Sequence, residues 1–472
     1  MSAVELCRLS LAEAAGLVAR REVSPVALTE AALARIEQLN PILNAFITVT
    51  GETALAEARA AEREIAGGAY RGPLHGIPLS LKDLYCTKGV RTTGGSRLLG
   101  GFVPDEDATA TRKLRQAGAV LLGKTAMLEL AYGEEHPDYG ATRNPWDIEY
   151  GTNGSSSGSA AAVAAGLGYG SLGSDTGGSI RLPAAWCGIV GLKPTYGLVS
   201  RAGVLPLSWS LDHAGPMTRT VRDCALLLQA IAGHDPADPT SARRPVPDYS
   251  AGLDRVPSDL TVGVFAPAPD DRVLPEVRAA LDAAAQTLRN AGISVREVRQ
   301  PYPDQATRAL LAMLYAEASS YHLPWLRERP QDYSANTRER LELGARLPAT
   351  TYLSALRARR VIIAAYQELM RDVDILLTPP APTASYRLDG PSTAPVGPEG
   401  DRMAPLVRFS GPFDLTGLPA IAVPAGLTGA GLPIGVQLVA RPFAEPTLLQ
   451  TAQVVEQALR DRLPRPDTGL VV

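Results

Sequence analysis

The chain has 472 residues, of which 45% are hydrophobic and 20% are charged, and its formal net charge at pH 7 is −3. This composition is typical of a soluble globular protein, and the near-neutral charge argues against binding of nucleic acid or anionic lipid. No apolar run is long enough to cross a membrane, and the N-terminal residues lack the basic start of a signal peptide. We therefore expect a cytoplasmic protein that binds neither nucleic acid nor membrane.

The sequence contains no pattern of paired cysteines or clustered metal ligands. The four cysteines, Cys7, Cys86, Cys187 and Cys224, are widely separated, and the five histidines do not cluster. Apolar neighbours around each cysteine favour a buried hydrophobic residue over a reactive thiol. We expect no disulfide framework, no metal and no cofactor.

The first half of the chain predicts helices, followed by strands that alternate with helices. Residues 1–66 have helical patterns, with a helix start at Ser24-Pro25 and a second helix over 54–65. Residues 72–235 form the expected catalytic core, and the elements predicted there are a helix over 107–117, a strand over 119–122, a helix over 160–166 and a strand over 188–192. This alternation is typical of an α/β fold.

The second half predicts one more β-α-β unit, a helical region and a return to the sheet. The unit comprises a strand over 260–266, a helix over 275–291 and a strand over 293–298. Residues 301–371 are predicted to be mostly helical, and the Pro/Gly-rich residues 378–405 are interpreted as a long surface excursion or lid. The chain is expected to return to the sheet over 406–460, with strands first and a last helix at 447–459. We therefore expect one large domain over residues 1–472.

Two short motifs suggest chemistry, and we favour neither of them. The segment 154–158 fits the G-x-S-x-G nucleophile elbow with Ser156 at its centre, but a polar, turn-rich segment precedes it where an apolar strand is needed. That interpretation also needs a downstream histidine, for which the candidates are His213, His234 and His322. The segment 118–125 fits the P-loop pattern, but its intervening residues are themselves a predicted strand.

A third interpretation combines a buried lysine with serine-rich loops. Lys82 ends an apolar run, so burial is expected to lower its pKa and to leave a neutral fraction that accepts a serine proton. Lys124 also follows an apolar run, and the residues alone do not choose between the two lysines. The alternative for either lysine is a structural ion pair, with Asp83 and Glu129 as candidate partners.

Longer sequence blocks resemble one protein family over nearly the whole chain. In chain order they read GIPLSLKDL, TRNPWD, GSSSGSAAAVAAG, GSDTGGSIRLPAAWCGIVGLKPTYGLVS, SLDHAGPMTRTVRD and LTGLPAIAVPAG. They resemble the recurring blocks of the amidase signature family, least clearly over residues 235–400. The resemblance implies one α/β domain with a mixed, many-stranded central sheet covered by helices, and amide hydrolysis by a Ser–cis-Ser–Lys triad.

Carried over by position, the triad falls on Lys82, Ser155 and Ser179. Lys82 lies in the block GIPLSLKDL, Ser179 follows Asp-Thr-Gly-Gly, and Ser155 is the bridging serine, expected after a cis peptide bond. Two positions depart from the family pattern, because Asn153 and Ser157 stand where glycine is usual. Because of this departure, the neighbouring Ser156 is the alternative for the bridging serine.

The resemblance also implies how an amide is activated. Ser179 is expected to attack while its proton passes through Ser155 to neutral Lys82. The oxyanion is expected to be held by the backbone N–H groups of Thr176, Gly177, Gly178 and Ser179. Asp175 and Arg181 are expected to fix this loop without taking part in the chemistry.

Two activities and one non-catalytic role are compatible with these residues, and the sequence favours a free-standing amidase. Such an enzyme hydrolyses a linear carboxamide to a carboxylate and ammonia or an amine. Its partner is then a small-molecule amide, and a homodimer is left open. The first alternative is the A subunit of a tRNA-dependent amidotransferase, which hydrolyses glutamine together with partner subunits. A binding protein on an inactive scaffold is disfavoured because all three triad positions are intact.

Two sequence differences separate the chain from the amidotransferase subgroup. That subgroup usually reads SLDQ where this chain has Asp212-His213, and it has a Tyr-x-x-Asp…Pro-Ala-Asn-Leu-Ala-Gly segment where this chain has residues 409–417. For the substrate, we expect Tyr132 and Trp209 to touch the acyl group, with packing in the core as the alternative.

Overall fold

A central sheet of eleven strands organises the part of the chain that the structure describes. The structure is a computed structural model, and it describes residues 1–265, 267, 271–389 and 403–459. The strands of the central sheet and of a separate β4–β5 hairpin are β1 Phe46–Val49, β2 Pro78–Lys82, β3 Val120–Thr125, β4 Arg143–Asn144, β5 Asp147–Gly151, β6 Gly170–Asp175, β7 Val190–Lys193, β8 His213–Thr218, β9 Thr261–Phe265, β10 Ser294–Val298, β11 Ile375–Thr378, β12 Ala420–Leu427 and β13 Pro433–Ala440.

Helices lie before, between and after these strands. They are α1 Ala3–Arg8, α2 Leu11–Ala19, α3 Pro25–Leu43, α4 Gly51–Ala66, α5 Thr109–Gln116, α6 Ser157–Ala164, α7 Arg181–Cys187, α8 Val221–Ile231, α9 Pro275–Asn290, α10 Pro303–Glu328, α11 Ala335–Ala345, α12 Ala349–Asp372, α13 Met403–Val407, α14 Gly411–Thr416 and α15 Glu445–Leu459. The predicted start of α3 is confirmed, because the Ser24 side chain accepts the Ala27 N–H and Pro25 occupies the first helical position. No helix within the described ranges is long and apolar enough to cross a membrane.

The sheet is mixed, as expected. Its strand order is β1-β3-β2-β6-β8-β7-β12-β13-β11-β9-β10. Strands β3, β2 and β6 are parallel neighbours, and so are β11, β9 and β10, whereas the strands between β6 and β11 pair antiparallel. All eight residues of β13 are buried, so both faces of the sheet are covered at its centre. The prediction of one α/β domain is confirmed.

The functional residues follow from the position of β2 beside β6. The two strands run parallel, with Leu81 opposite Leu172. Because parallel neighbours end at the same edge of a sheet, the last residues of β2 and β6 lie side by side. That edge therefore collects Lys82 from β2 and Ser174 and Asp175 from β6.

One sequence expectation needs correction, one is confirmed, and one falls partly outside the described residues. Residues 1–66 are not only helical, because they contain β1, whose four residues are too few to show a strand period and which pairs antiparallel with β3. The rejection of the P-loop match is confirmed, because residues 120–122 of its intervening segment belong to β3. The expected excursion over 378–405 lies partly outside the described residues, which omit 390–402.

Candidate active site

Lys82 lies at the centre of a cluster of serine hydroxyls. Its Nζ is 2.6 Å from Ser155 Oγ, 3.0 Å from Ser156 Oγ and 2.8 Å from Ser174 Oγ. The side chain is completely buried, and no carboxylate of the described residues forms an ion pair with it. Burial lowers the pKa of Lys82 to about 7, although Asp175 and Asp212 act in the opposite direction. A substantial neutral fraction at neutral pH follows from this environment.

The hydrogen bonds of Ser156 decide which neighbouring serine can give Lys82 a proton. A neutral amine has two N–H donors and one lone pair, so one of its three partners must donate to it. The Ser156 hydroxyl donates to the Ser174 carbonyl at 3.1 Å and also accepts the Ser174 N–H at 3.2 Å. Its hydrogen is therefore already used. Of the two remaining hydroxyls, that of Ser155 makes the shorter contact with Lys82 and lies in the loop joined to Ser179, so it is the one suited to proton transfer.

The serine loop turns by left-handed backbone conformations. Asn153 has φ of 44° and Gly154 has φ of 65°, and a Cβ at Gly154 would lie 2.4 Å from Pro183. Asparagine tolerates this conformation better than most residues, which explains why it can stand where glycine is usual. Every described peptide bond is trans, so the expectation of a cis bond before Ser155 is wrong. The chain turns before Ser155 through the two left-handed residues instead.

Ser157, the second departure from the family pattern, does not crowd the loop. It is the first residue of α6 and is fully buried. Its hydroxyl oxygen accepts a hydrogen bond from the Thr142 hydroxyl at 3.3 Å. The replacement therefore adds a hydrogen bond that ties the serine loop to residue 142.

Ser179 lies in the turn between β6 and α7, next to the serine loop. Its carbonyl oxygen accepts the Ser156 N–H at 3.3 Å, which joins the two loops through their backbones. Its side chain is half-buried, and its hydroxyl forms no hydrogen bond with the described residues, Ser155 and Lys82 included. The structure thus brings Lys82 and Ser155 into side-chain contact, and it joins the Ser179 turn to their loop through the backbone.

One of the expected oxyanion donors is occupied. The Gly178 N–H donates to Asp175 Oδ1 at 2.6 Å, and the Ile180 N–H donates to Asp175 Oδ2 at 3.0 Å. No acceptor within the described ranges takes the N–H groups of Thr176, Gly177 or Ser179. The expectation for Gly178 is therefore wrong in this geometry, because its N–H is used to hold the Asp175 carboxylate.

Asp175 and Arg181 form the core of a buried ionic network that fixes the Ser179 turn. Arg181 Nη2 lies 2.9 Å from Asp175 Oδ1 and 2.7 Å from Asp414 Oδ2, while Nη1 donates to Gln437 Oε1 at 2.6 Å and to the Ser410 carbonyl at 2.9 Å. Burial acts to raise the pKa of Asp175, but the Arg181 charge prevails and holds it below its usual range. The network ties the turn to α14 and β13, as expected for a supporting pair.

Asp212 supports the same turn from the other side. Its carboxylate accepts the Thr176 hydroxyl at 2.7 Å and the N–H groups of Leu207 and Ser208, each at 2.9 Å. Burial raises the pKa of Asp212, and these hydrogen bonds act against that shift. Three members of the site, Ser174, Asp212 and Asp414, were not predicted from the sequence. Ser174 and Asp212 lie inside blocks that carried the family resemblance, and Asp414 directly precedes the last of these blocks.

A cavity of about 590 Å³ reaches the lysine cluster from outside. Ser174, Asp212 and His213 line its inner end, and Trp209, 46% exposed, lies at its rim. His213 Nε2 is buried without a hydrogen-bond partner among the described residues, and burial together with Lys193 holds the pKa of His213 well below its usual value. Trp209 is therefore not a core residue, and it is placed where a molecule entering this cavity passes.

Tyr132 is buried against α10 and α11 and does not line the cavity that Trp209 borders. Its ring centroid lies 6.1 Å from that of Tyr315, and the Arg340 guanidinium carbon lies 5.6 Å from the Tyr132 ring centroid. Arg340 is half-buried, and its Nη1 is fully buried without a hydrogen-bond partner in the described part of the chain. A buried guanidinium nitrogen without an acceptor is suited to an anionic group of a ligand. No sequence pattern pointed to Arg340.

Lys124 and Asp83 form the structural ion pair considered as the alternative, whereas Glu129 pairs with neither lysine. Lys124 Nζ lies 3.3 Å from Asp83 Oδ1 and donates to the Tyr85 carbonyl and the Thr92 hydroxyl, each at 2.7 Å. Glu129 accepts hydrogen bonds from Ser96 and Ser334. Neither carboxylate therefore pairs with Lys82.

Comparison with known proteins identifies the family. A family model described as Amidase matches residues 27–449, so the chain belongs to the amidase family. The A subunit of glutamyl-tRNA(Gln) amidotransferase from Geobacter metallireducens is 43% identical over 481 residues, which cover 96% of this chain and 98% of the relative.

Solved structures give the same fold. One, described as a vestigial protein complex that reveals the evolutionary origins of an s-triazine catabolic enzyme, has a TM-score of 0.90 and 37% identity over 95% of this chain and 98% of that chain. The A subunit of the Thermotoga maritima glutamyl-tRNA(Gln) amidotransferase has a TM-score of 0.80 and 32% identity over 99% of this chain and 98% of that chain.

These similarities contradict the expectation of a free-standing amidase whose only partner is a small amide, with no nucleic acid involved. Further relatives, 40% and 44% identical, are also A subunits of this amidotransferase by name. The two sequence differences that favoured the expectation lie in the interior. The first difference includes His213 and the second includes Asp414, and His213 Nδ1 lies 3.5 Å from Asp414 Oδ1. Both differences therefore lie at the buried ionic network of Asp175 and Arg181. They therefore report on internal packing and not on whether the chain has partners.

Proposed function

We propose that this member of the amidase family is the amide-hydrolysing A subunit of a tRNA-dependent amidotransferase, which releases ammonia from glutamine for use by partner subunits. The chemistry rests on one observation: Lys82 is fully buried, without a carboxylate partner in the described chain, and its Nζ is 2.6 Å from Ser155 Oγ. The biological setting rests on the relatives that share this name at 40–44% identity over nearly the full chain.

In the proposed acylation, neutral Lys82 acts as the base and Ser179 as the nucleophile. As the Ser179 Oγ–C bond forms, its proton moves to Ser155 Oγ and the Ser155 proton moves to Lys82 Nζ. The carbonyl oxygen takes the electron pair and is held by the N–H groups of Thr176, Gly177 and Ser179. Hydrogen bonds in an enzyme without its substrate are often longer than in the reacting complex, which accounts for the unbonded Ser179 hydroxyl.

Release of ammonia reverses the direction of the protons. The oxyanion collapses, the C–N bond breaks, and the leaving nitrogen takes a proton from Ser155, which is replenished by the Lys82 ammonium. Water then attacks the acyl carbon and gives its proton through Ser155 to Lys82, and the returned proton restores the Ser179 hydroxyl. The products are a carboxylate and ammonia, and Lys82 is neutral again after each cycle.

Glutamine suits the site because it carries a carboxylate distant from its amide. We assign that carboxylate to Arg340, whose buried Nη1 has no acceptor within the described residues and whose guanidinium stacks on Tyr132. Arg340 also lies close enough to Tyr386 to affect its pKa, which burial raises, and the Tyr386 hydroxyl is hydrogen-bonded to the Asn153 side chain of the serine loop. Tyr132 thus supports the residue that binds the substrate, and Trp209 borders the cavity through which ammonia leaves.

The partners in this role are other protein subunits and, through them, tRNA. The proposed chain delivers ammonia to a neighbouring subunit, which uses it to convert glutamate on tRNA to glutamine. Because that step belongs to translation, the role keeps a cytoplasmic location as part of the proposal.

A direct test compares the chain alone with the chain mixed with the other subunits of a tRNA-dependent amidotransferase. We expect glutamine hydrolysis to glutamate and ammonia that increases when the partners and charged tRNA are present, and that Ser179→Ala abolishes. Formation of a partner complex that leaves glutamine intact would exclude this function. A chain that assembles with no other protein would exclude it as well.

A second candidate keeps the partner and the chemistry and changes the amide. The TM-score of 0.90 to the complex described as revealing the evolutionary origins of an s-triazine catabolic enzyme favours a protein that hydrolyses an amide related to that breakdown. The same complex, tested with small amides that carry a carboxylate but no ammonium group, distinguishes the two candidates. Hydrolysis of those amides in preference to glutamine supports the second.

A further inference from the structure

A loop behind the triad is held in a conformation that most residues avoid. Leu130 has φ of 51° and Ala131 has φ of 61°, so two consecutive residues with side chains adopt the left-handed conformation. Such a pair persists only where its surroundings enforce it, and strain of this kind is common at functional sites. The loop ends in Tyr132 and Gly133, and we call residues 129–133 the Tyr132 loop.

Glu129 joins the Tyr132 loop to two other segments. Its carboxylate accepts the Ser96 hydroxyl at 2.6 Å through Oε1 and the Ser334 backbone N–H at 2.9 Å through Oε2. The side chain is completely buried, and no cation of the described residues forms an ion pair with it. A buried carboxylate without a cation is costly unless its hydrogen bonds compensate for lost hydration, so its retention calls for a specific reason.

The segment reached through Ser334 is the start of α11. Ser334 caps this helix, because its hydroxyl accepts the Thr337 N–H at 3.3 Å. The Thr337 hydroxyl in turn donates to the Tyr132 carbonyl at 3.3 Å. Gly133 packs so closely there that a Cβ would lie 2.6 Å from Thr337 Oγ1. The Tyr132 loop and the first turn of α11 are therefore one interlocked unit.

Arg340 lies on the same face of α11 as Thr337, since residues three apart are neighbours on a helix surface. Its guanidinium lies over the ring of Tyr132, 5.6 Å from the centroid. Any movement of α11 relative to the Tyr132 loop would separate these two groups. Glu129 is the charged residue whose hydrogen bond fixes the helix start to the loop.

We propose that Glu129 is a positioning residue for substrate binding, which holds the Tyr132 loop and α11 together so that Arg340 faces the carboxylate of the amide substrate. This inference rests on the proposed function, because it assigns the substrate carboxylate to Arg340. It differs from a role in stability alone, since it predicts a loss of substrate affinity without loss of the chemical step. Glu129 acts through Arg340 and does not touch the reacting atoms.

The first experiment measures glutamine hydrolysis by Glu129→Gln in the assembled enzyme. Glutamine keeps the size of the side chain but offers one acceptor oxygen for two donors, so one hydrogen bond is lost. We expect KM to rise at least tenfold, kcat to change less than threefold, and the pH dependence of kcat to remain that of the unmodified enzyme. Glu339→Gln, an exposed change on α11, serves as the matched control and leaves both constants unchanged.

The second experiment asks whether Glu129 acts through Arg340. In a double-mutant cycle, Arg340→Gln alone raises KM at least tenfold, and adding Glu129→Gln raises it no more than twofold further. Multiplication of the two single effects overturns the proposal, and so does a fall in kcat with unchanged KM. If Glu129→Gln does not fold, Ser96→Ala removes one donor and leaves the carboxylate in place; its expected threefold rise in KM is tested in the same cycle.

The two proposals fail in different ways. An assembled, unmodified enzyme that hydrolyses no glutamine defeats the proposed function. Glutamine hydrolysis with independent effects of Glu129 and Arg340 defeats only the role of Glu129.

Discussion

Two buried lysines on neighbouring strands have opposite surroundings. Lys82 on β2 and Lys124 on β3 are 0% and 1% exposed. The two strands are parallel neighbours in which Leu81 pairs with Lys124, so the lysines are one position apart in the pairing. Lys82 contacts three hydroxyls, whereas Lys124 contacts the Asp83 carboxylate, a backbone carbonyl and one hydroxyl. Burial lowers the pKa of both, but Asp83 opposes the shift of Lys124 directly.

The difference shows what makes a buried lysine a base. A carboxylate and a carbonyl can only accept hydrogen bonds, so they stabilise an ammonium group and give it no proton to take. Hydroxyls can reverse their direction and donate, so they serve a neutral amine equally well. Burial alone is common to both lysines, and the partners assign one to structure and the other to chemistry.

Removing each ammonium group gives the largest contrast. Lys82→Met is expected to lower kcat on the order of 10⁴-fold, as loss of a catalytic base does, while the protein stays folded. Lys124→Met leaves Asp83 buried without a cation and is expected to lower the free energy of unfolding by about 3–5 kcal/mol, with kcat of the folded fraction within about tenfold. Steady-state kinetics and urea unfolding measure the two effects, and equal losses of kcat would erase the distinction between the lysines.

The two serines beside Lys82 sharpen the contrast within one site. Ser155→Ala removes the hydroxyl that can donate to Lys82, and we expect a loss of kcat on the order of 10³-fold. Ser156→Ala removes a hydroxyl whose hydrogen is bound to the Ser174 carbonyl, and we expect a loss of about tenfold from looser positioning of Lys82. A larger loss for Ser156→Ala than for Ser155→Ala would show that the proton relay runs through Ser156.

The sequence predicted the part of the site that is local to its motifs. Lys82, Ser155, Ser179, Asp175 and Arg181 lie in long ordered blocks, and the structure brings these blocks to one sheet edge. Without the family resemblance the residues could not choose between Lys82 and Lys124, because that choice depends on the partners that the fold brings to each lysine. The prediction also misjudged the serine turn, where two left-handed residues replace a cis bond.

The residues assigned to substrate binding could not be predicted from the sequence, because their roles depend on contacts between distant segments. Arg340 lies on a helix 161 positions after Ser179 in the chain, and it becomes notable only because its Nη1 is buried without an acceptor in the described structure. Glu129 was considered only as an ion-pair partner, although its partners prove to be hydroxyl and backbone N–H groups. Such roles arise from packing between distant segments, which leaves no local pattern.

The pH dependence of kcat tests whether the base is a lysine of lowered pKa. Only neutral Lys82 can accept a proton, and its pKa is lowered to about 7. We therefore expect kcat to fall about tenfold for each pH unit below 7 and to level off above it. Lys124→Met should keep this limb, since Lys124 is not the titrating group. A limb near pH 4, or one that moves in Lys124→Met, would indicate a different base.

The smallest effect comes from the charges that surround Lys82. Asp212 raises the pKa of Lys82, against the dominant effect of burial. Asp212→Asn removes that charge, so the pKa of Lys82 falls and the acid limb of kcat moves to lower pH, by less than about one unit. The lost hydrogen bond to Thr176 lowers the plateau of kcat but not the position of the limb.

Asp235→Asn, at a buried carboxylate bonded to Ser200 and Thr109, is the control and should leave the limb in place. A shift to higher pH in Asp212→Asn would contradict the electrostatic account, because removing a negative charge cannot stabilise an ammonium group.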